Sequence, residues 1–180
     1  LVGSEMCIRD SCYTAPMMEM AVACSRSPVG AVASGKHGIG MISIGGTNDE
    51  ALAAHAKNWA IHTEAAQAAG KTPDRSKWRI TTFAHVAETR EKARENVKFG
   101  LEKWMYYFQE IAALPVAPNS GGDLVDSMIE SGLAVIGTPD DAIAQIERLK
   151  VQSGGFGAFL FLANNWADWE NTKKSYELFA

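Results

Sequence analysis

Residues 17–46 read MMEMAVACSRSPVGAVASGKHGIGMISIGG, and this stretch decides the fold. Residues 17–23 are an apolar run interrupted only by Glu19, and Ser25-Arg26-Ser27-Pro28 then punctuates it as a turn. The small residues of 29–34 suit a short helix, closed by Gly35 and Gly38. A second apolar run, IGMISI at 39–44, stops at Gly45-Gly46. Strand, turn, helix and strand in so few residues predict a βαβ unit. Its two strands run parallel and its crossover is right-handed.

The same alternation continues downstream. A helix is predicted from Thr47, with Glu50 three residues on as a capping-box partner, to Ala69 before Gly70. Residues 78–86 (WRITTFAHV) are β-branched and aromatic and predict a third strand. Over 90–111, Val97, Leu101, Trp104, Phe108 and Ile111 recur at alternating four- and three-residue spacings, the stripe of one amphipathic helix. A loop with Pro115, Pro118 and Gly121-Gly122 follows, then a short helix over 123–130. Gly137-Thr138-Pro139-Asp140-Asp141 is a strong helix start, with a capping Thr, Pro at the first helical position and two acids facing the dipole. Ile143, Ile146 and Leu149 are expected to form that helix's buried face. Residues 156–162 (FGAFLFL) read as a final strand covered on both faces, and 166–180 as a helix. Four such strands fit either a doubly wound sheet or half of a (β/α)8 barrel, a fold that needs roughly 250 residues.

The 180 residues are 47% apolar and 21% charged, which excludes disordered and collagen-like classes. A net charge of −4 carries no basic footprint for nucleic acid or an anionic membrane surface, and no apolar run reaches membrane-spanning length. Cys7, Cys12 and Cys24 form no CxxC pair and read as reduced thiols, so a soluble cytoplasmic protein is expected.

Two readings stand for residues 24–28. One is a capped helix start, with Ser27 as cap and Pro28 at the first helical position. The other is an anion site, in which the hydroxyls of Ser25 and Ser27, the amides of Val29 and Gly30, the Arg26 charge and the helix dipole hold a phosphate. Strand C-terminal ends are where parallel α/β folds bind ligands. The GKHGIG segment (35–40) lacks the GxGxxG and Walker patterns, and Lys36 and His37 read as solvated. His37, His55, His62 and His85 show no metal-ligand spacing, and no metal is expected. His85, at the C-terminal end of the third strand, is either a substrate-facing residue or a packed structural histidine. Trp166, Trp169 and Tyr176 are expected to cover the barrel wall or a subunit interface. No GxSxG elbow is present.

Residues 1–11 (LVGSEMCIRDS) resemble the in-frame translation of a transposase sequencing adapter, whose codons ATG-TGT-ATA-AGA-GAC-AG encode Met6 to Asp10 and most of Ser11. Such scars stand outside fold reasoning. Native sequence is then expected over 12–180, with upstream coding sequence missing.

Three stretches together resemble the flavin-dependent, luciferase-like monooxygenase family: the 18–46 segment already quoted, AVIGTPDDAIAQIERL (134–149) and SGGFGAFLFLANNWADWENTKKSYELFA (153–180). The DRSKWR segment (74–79) and the long WMYYF helix are similar to a limonene-type subgroup. The resemblance implies an α/β chain forming the C-terminal half of a (β/α)8 TIM barrel of the bacterial luciferase-like type. It implies reduced FMN, supplied with electrons by NAD(P)H, as cofactor, and O2 and a small organic, terpene-like molecule as substrates. Ser25, Arg26, Ser27 and Val29 are then the cofactor-binding candidates, and His85 is a pocket candidate. Catalytic residues are expected mostly in the missing N-terminal half. A flavin reductase partner and a homodimer of the full-length protein complete the expectation. The alternatives are a deazaflavin-dependent oxidoreductase of the same fold and a non-catalytic partner subunit of a luciferase-like heterodimer.

Overall fold

The computed structural model describes residues 18–25, 27–44, 46–111 and 122–180. The candidate Arg26 and the adapter-like residues 1–11 lie outside these. In chain order the elements are β1 (Ala21–Cys24), α1 (Val29–His37), β2 (Gly40–Ser43), α2 (Asp49–Ala68), a 3-10 turn (Arg75–Lys77), β3 (Trp78–Val86), α3 (Arg90–Val97), α4 (Leu101–Tyr106), a π turn (Tyr107–Ile111), α5 (Leu124–Glu130), β4 (Ala134–Gly137), α6 (Pro139–Ser153), β5 (Ala158–Leu162) and α7 (Trp169–Phe179).

Every strand pairing is parallel. β1, β2, β3 and β5 are consecutive staves; α1, α2 and α7 follow β1, β2 and β5, while α3, α4, α5 and β4 intervene between β3 and α6. The residues of β3 alternate between the two faces as strand geometry requires. Trp78 and Ile80 pack with Leu52 and Trp59 under the helices, and Ala84 and Val86 pack with Ala142 of α6. Phe83 and His85 point the other way, to what is the inner face of such a barrel.

β4 is a fifth strand that the sequence reading did not assign. Its run is only four residues long and borders a helix start. It pairs with Phe83–Val86 of β3, on the edge whose earlier residues pair with β2, while β5 takes the opposite edge. The join is a buried polar knot. Thr47 Oγ1 donates to the Gly132 carbonyl (2.6 Å) and lies 3.2 Å from Thr82 Oγ1, while Gln145 Nε2 donates to Thr47 Oγ1 (2.9 Å). Thr47 is therefore a buried strut, and Asn48 is the actual cap of α2, accepting from Ala51 N–H.

The predicted 90–111 helix is broken. Gly100 donates its N–H to the Trp166 carbonyl (2.9 Å), and a Cβ at this position would collide with the Asn165 carbonyl. The close approach needs glycine, so the helix yields there to the loop after β5. The π turn then shifts the helical phase, leaving Ile111 exposed instead of on the stripe. Gly35, predicted to close α1, lies inside it, where a side chain would meet the His62 carbonyl of α2. The helix ends at Gly38 in the left-handed conformation.

Of the expected buried face of α6, Leu149 is buried, Ile146 is half-buried and Ile143 is exposed, and Ala142 is buried beside them. β5 is half-buried along its length, not covered on both faces, because among the described residues β3 is its sole strand neighbour. Trp166 precedes α7 and is wholly buried, whereas Trp169 and Tyr176 are exposed.

Candidate functional site

The C-terminal ends of the strands gather two groups of side chains. The first surrounds the turn after β1. The last rung of the β1–β2 pairing is the Ile44 N–H donating to the Cys24 carbonyl (2.8 Å), after which the chain leaves the sheet. Ser25, Ser27 and Val29 are exposed at this turn, so the structure brings three of the four predicted cofactor residues together. The capping expectation shifts by one residue. Pro28 is the N-cap and makes no side-chain bond, while Ser27 Oγ accepts from Val29 N–H at 3.4 Å. The first helical bond is Val32 N–H to the Pro28 carbonyl, so Gly30 and Ala31 amides have no helical acceptor. At Gly30 a Cβ would lie 2.7 Å from the Ala23 carbonyl oxygen and 2.9 Å from Cys24 Sγ, so the missing side chain lets the helix start sit directly on the strand end. Cys24 itself is buried, and burial pushes its thiol up to about 11.

Sequence reasoning missed what holds this turn. His55, Asn58 and His62 share one face of α2 and are all buried. His55 Nε2 lies 3.0 Å from the Gly46 carbonyl, Asn58 Nδ2 donates to the Ser25 carbonyl (2.5 Å), and His62 Nδ1 lies 2.8 Å from Ser34 Oγ of α1. Burial holds both imidazoles below their ordinary range, with the Gly46 contact partly opposing it at His55. The sequence signal was the spacing of three polar residues on one helical face, which by itself reads equally as a solvated side.

The second group lies on the inner face. Phe83, Trp104, Phe108 and Trp166 pack as an aromatic cluster, with Phe83–Trp104 and Trp104–Trp166 edge-to-face at 4.8 and 5.2 Å. Here α4 and the π turn fold over the end of β3. His85 is buried beside this cluster, with Nε2 3.1 Å from Asn96 Nδ2 of α3. Burial lowers its pKa against the opposing pull of Asp168. The packed-histidine alternative therefore describes its surroundings. A separate cleft of about 470 Å³ between α3, α5 and α6 is bridged by Arg90–Asp141 and Arg94–Asp126 ion pairs at 2.7 Å. Those pairs tie α3 to the elements around it.

Parallel βα staves with helices packed along one face define a segment of an α/β barrel. The family model for luciferase-like monooxygenases matches residues 14–156, and the chain belongs to that family. Over 163 residues it is 40% identical to limonene 1,2-monooxygenase of Rhodococcus erythropolis, covering 91% of this chain and 42% of that protein. It is 31% identical to 4-hydroxyprotoasukamycin monooxygenase of Streptomyces nodosus subsp. asukaensis, covering 91% and 45%. Among solved structures, the monooxygenase RslO1 of Streptomyces bottropensis superposes with a TM-score of 0.69 at 23% identity, over 93% of this chain and 47% of that one. The oxygenating constituent of 3,6-diketocamphane monooxygenase from Pseudomonas putida, in complex with FMN, gives 0.65 at 23% identity, over 90% and 48%. The fold is thus part of a luciferase-like (β/α)8 barrel, and the chain spans under half the length of the curated relatives it matches.

Proposed function

We propose that this chain, residues 12–180, is the C-terminal part of a flavin-dependent monooxygenase that uses reduced FMN and O2 to oxygenate a small organic, terpene-like molecule. The observation carrying this reading is that Ser25, Ser27 and Val29 are exposed at the N-terminus of α1, in a chain of the luciferase-like family. The turn suits a phosphate: two hydroxyls, helix amides without helical acceptors and the positive end of the helix dipole converge on it. Ser25, Ser27 and the backbone at Val29 would hold the phosphate, with Arg26 adding charge. Bound reduced flavin supplies the electrons that activate O2. The protein's own part is to bind, orient and exclude water. Phe83, Trp104 and Phe108, half-buried and backed by the wholly buried Trp166, offer an apolar wall to a hydrocarbon substrate and keep water off it. His85, on the same face of β3 as Phe83, is buried against Asn96 of α3.

In this proposal the electrons come from NAD(P)H through a flavin reductase, in the cytoplasm. The exposed Ile143 of α6 and Trp169 of α7 support a homodimer of the full-length protein. The test is titration of the intact parent protein with FMN and with a deazaflavin, followed by turnover with monoterpenes. Tight FMN binding with NAD(P)H- and O2-dependent product is the expected result. Activity with deazaflavin alone, or activity that needs a paralogous subunit, overturns it.

A further inference from the structure

Asn58 is 2% exposed and sits between two buried histidines on α2, yet its partner lies on a different segment from theirs. Ser25 is the first residue past the β1–β2 pairing, and among the described residues no strand takes its carbonyl. Asn58 Nδ2 supplies the missing donor at 2.5 Å. A carbonyl oxygen turned toward a phosphate repels it, because both carry negative charge. One drawn toward the side of α2 leaves the hydroxyls and the α1 amides as the groups a phosphate meets. The flanking contacts brace the same region. His55 takes the Gly46 carbonyl in the loop after β2, and His62 holds Ser34 on α1.

We propose that Asn58 is the positioning residue of the cofactor-phosphate turn, holding the Ser25 carbonyl on the α2 side and away from the anion. The inference rests on the reading of that turn as the phosphate site. Because the anchor is an uncharged amide, its hold does not depend on protonation as that of a histidine would.

FMN and riboflavin differ by the phosphate, so the ratio of their affinities isolates this role from general stability. In the intact parent protein, Asn58→Leu removes the donor and keeps the bulk. Flavin-fluorescence titration is expected to show FMN affinity falling about tenfold, the scale of one hydrogen bond to a buried group. Riboflavin affinity is expected to stay unchanged. Asn58→Ser, smaller and less apolar, gives the same reading if the leucine variant does not fold. His62→Gln, at the far end of the same face, is the comparison and is expected to lower Tm without moving the ratio. A folded Asn58 variant that retains the wild-type FMN-to-riboflavin ratio overturns the proposal. If the wild-type protein does not itself distinguish FMN from riboflavin, the phosphate-site reading falls first and this one with it.

Discussion

His55, His62 and His85 are buried, and burial holds each imidazole below its ordinary range. Protonating any of them in the folded protein buries a cation, whereas the unfolded chain takes up those protons near 6.5. Between the depressed folded values and 6.5 the unfolded state binds more protons, so stability is full above this window and falls as pH drops through it. In the intact parent protein, Tm measured from about pH 7.5 down to about pH 5 is expected to decline, and His62→Gln is expected to flatten the decline. A Tm that rises toward the acid end contradicts the assignment. Asp141 acts at lower pH. The Arg90 bond, reinforced by Thr138, holds its carboxyl at about 2, so its contribution is present above 3.8 and is lost as pH falls through about 2.

Among the elements, the start of α6 was fully legible in the sequence. Thr138 and Asp141 close a reciprocal capping box with Pro139 at the first helical position. Thr138→Ala is expected to cost about 1 kcal/mol in urea unfolding of the intact parent protein. Asp141→Asn is expected to cost more, because it also releases Arg90. Equal midpoints for Thr138→Ala and wild type would show that the cap contributes nothing. The break at Gly100 was illegible, since the stripe Val97, Leu101, Trp104 runs unbroken through it. The cause is the Trp166 carbonyl, brought in from a remote segment. Thr47 misled for a similar reason. A threonine before an acidic turn reads as a cap, and only the packing of β4 against β3 reveals it as the centre of a buried knot.

As a whole molecule the described chain is an open run of staves. β1 and β5 each pair along one edge, and the inner-face residues Ala23 and Leu160 are exposed and half-buried. Unpaired parallel edges and a partly uncovered apolar face favour association. Expressed by itself, the 180-residue chain is expected to be insoluble, molten or self-associated and to bind no flavin. Sedimentation and thermal melts check this, and a monodisperse monomer with a cooperative melt contradicts it. Local pattern alone established the parallel α/β class, the four staves and the α6 start. Apolar runs, caps and turns are properties of neighbouring residues, so one sequence carries them. The tertiary structure alone decided that Asn58 reaches Ser25, that β4 joins β3, and that His85 backs onto Asn96 beside an aromatic wall. Each of these contacts joins residues distant in sequence or on separate elements, where the partner is set by how the elements pack and not by any local signal.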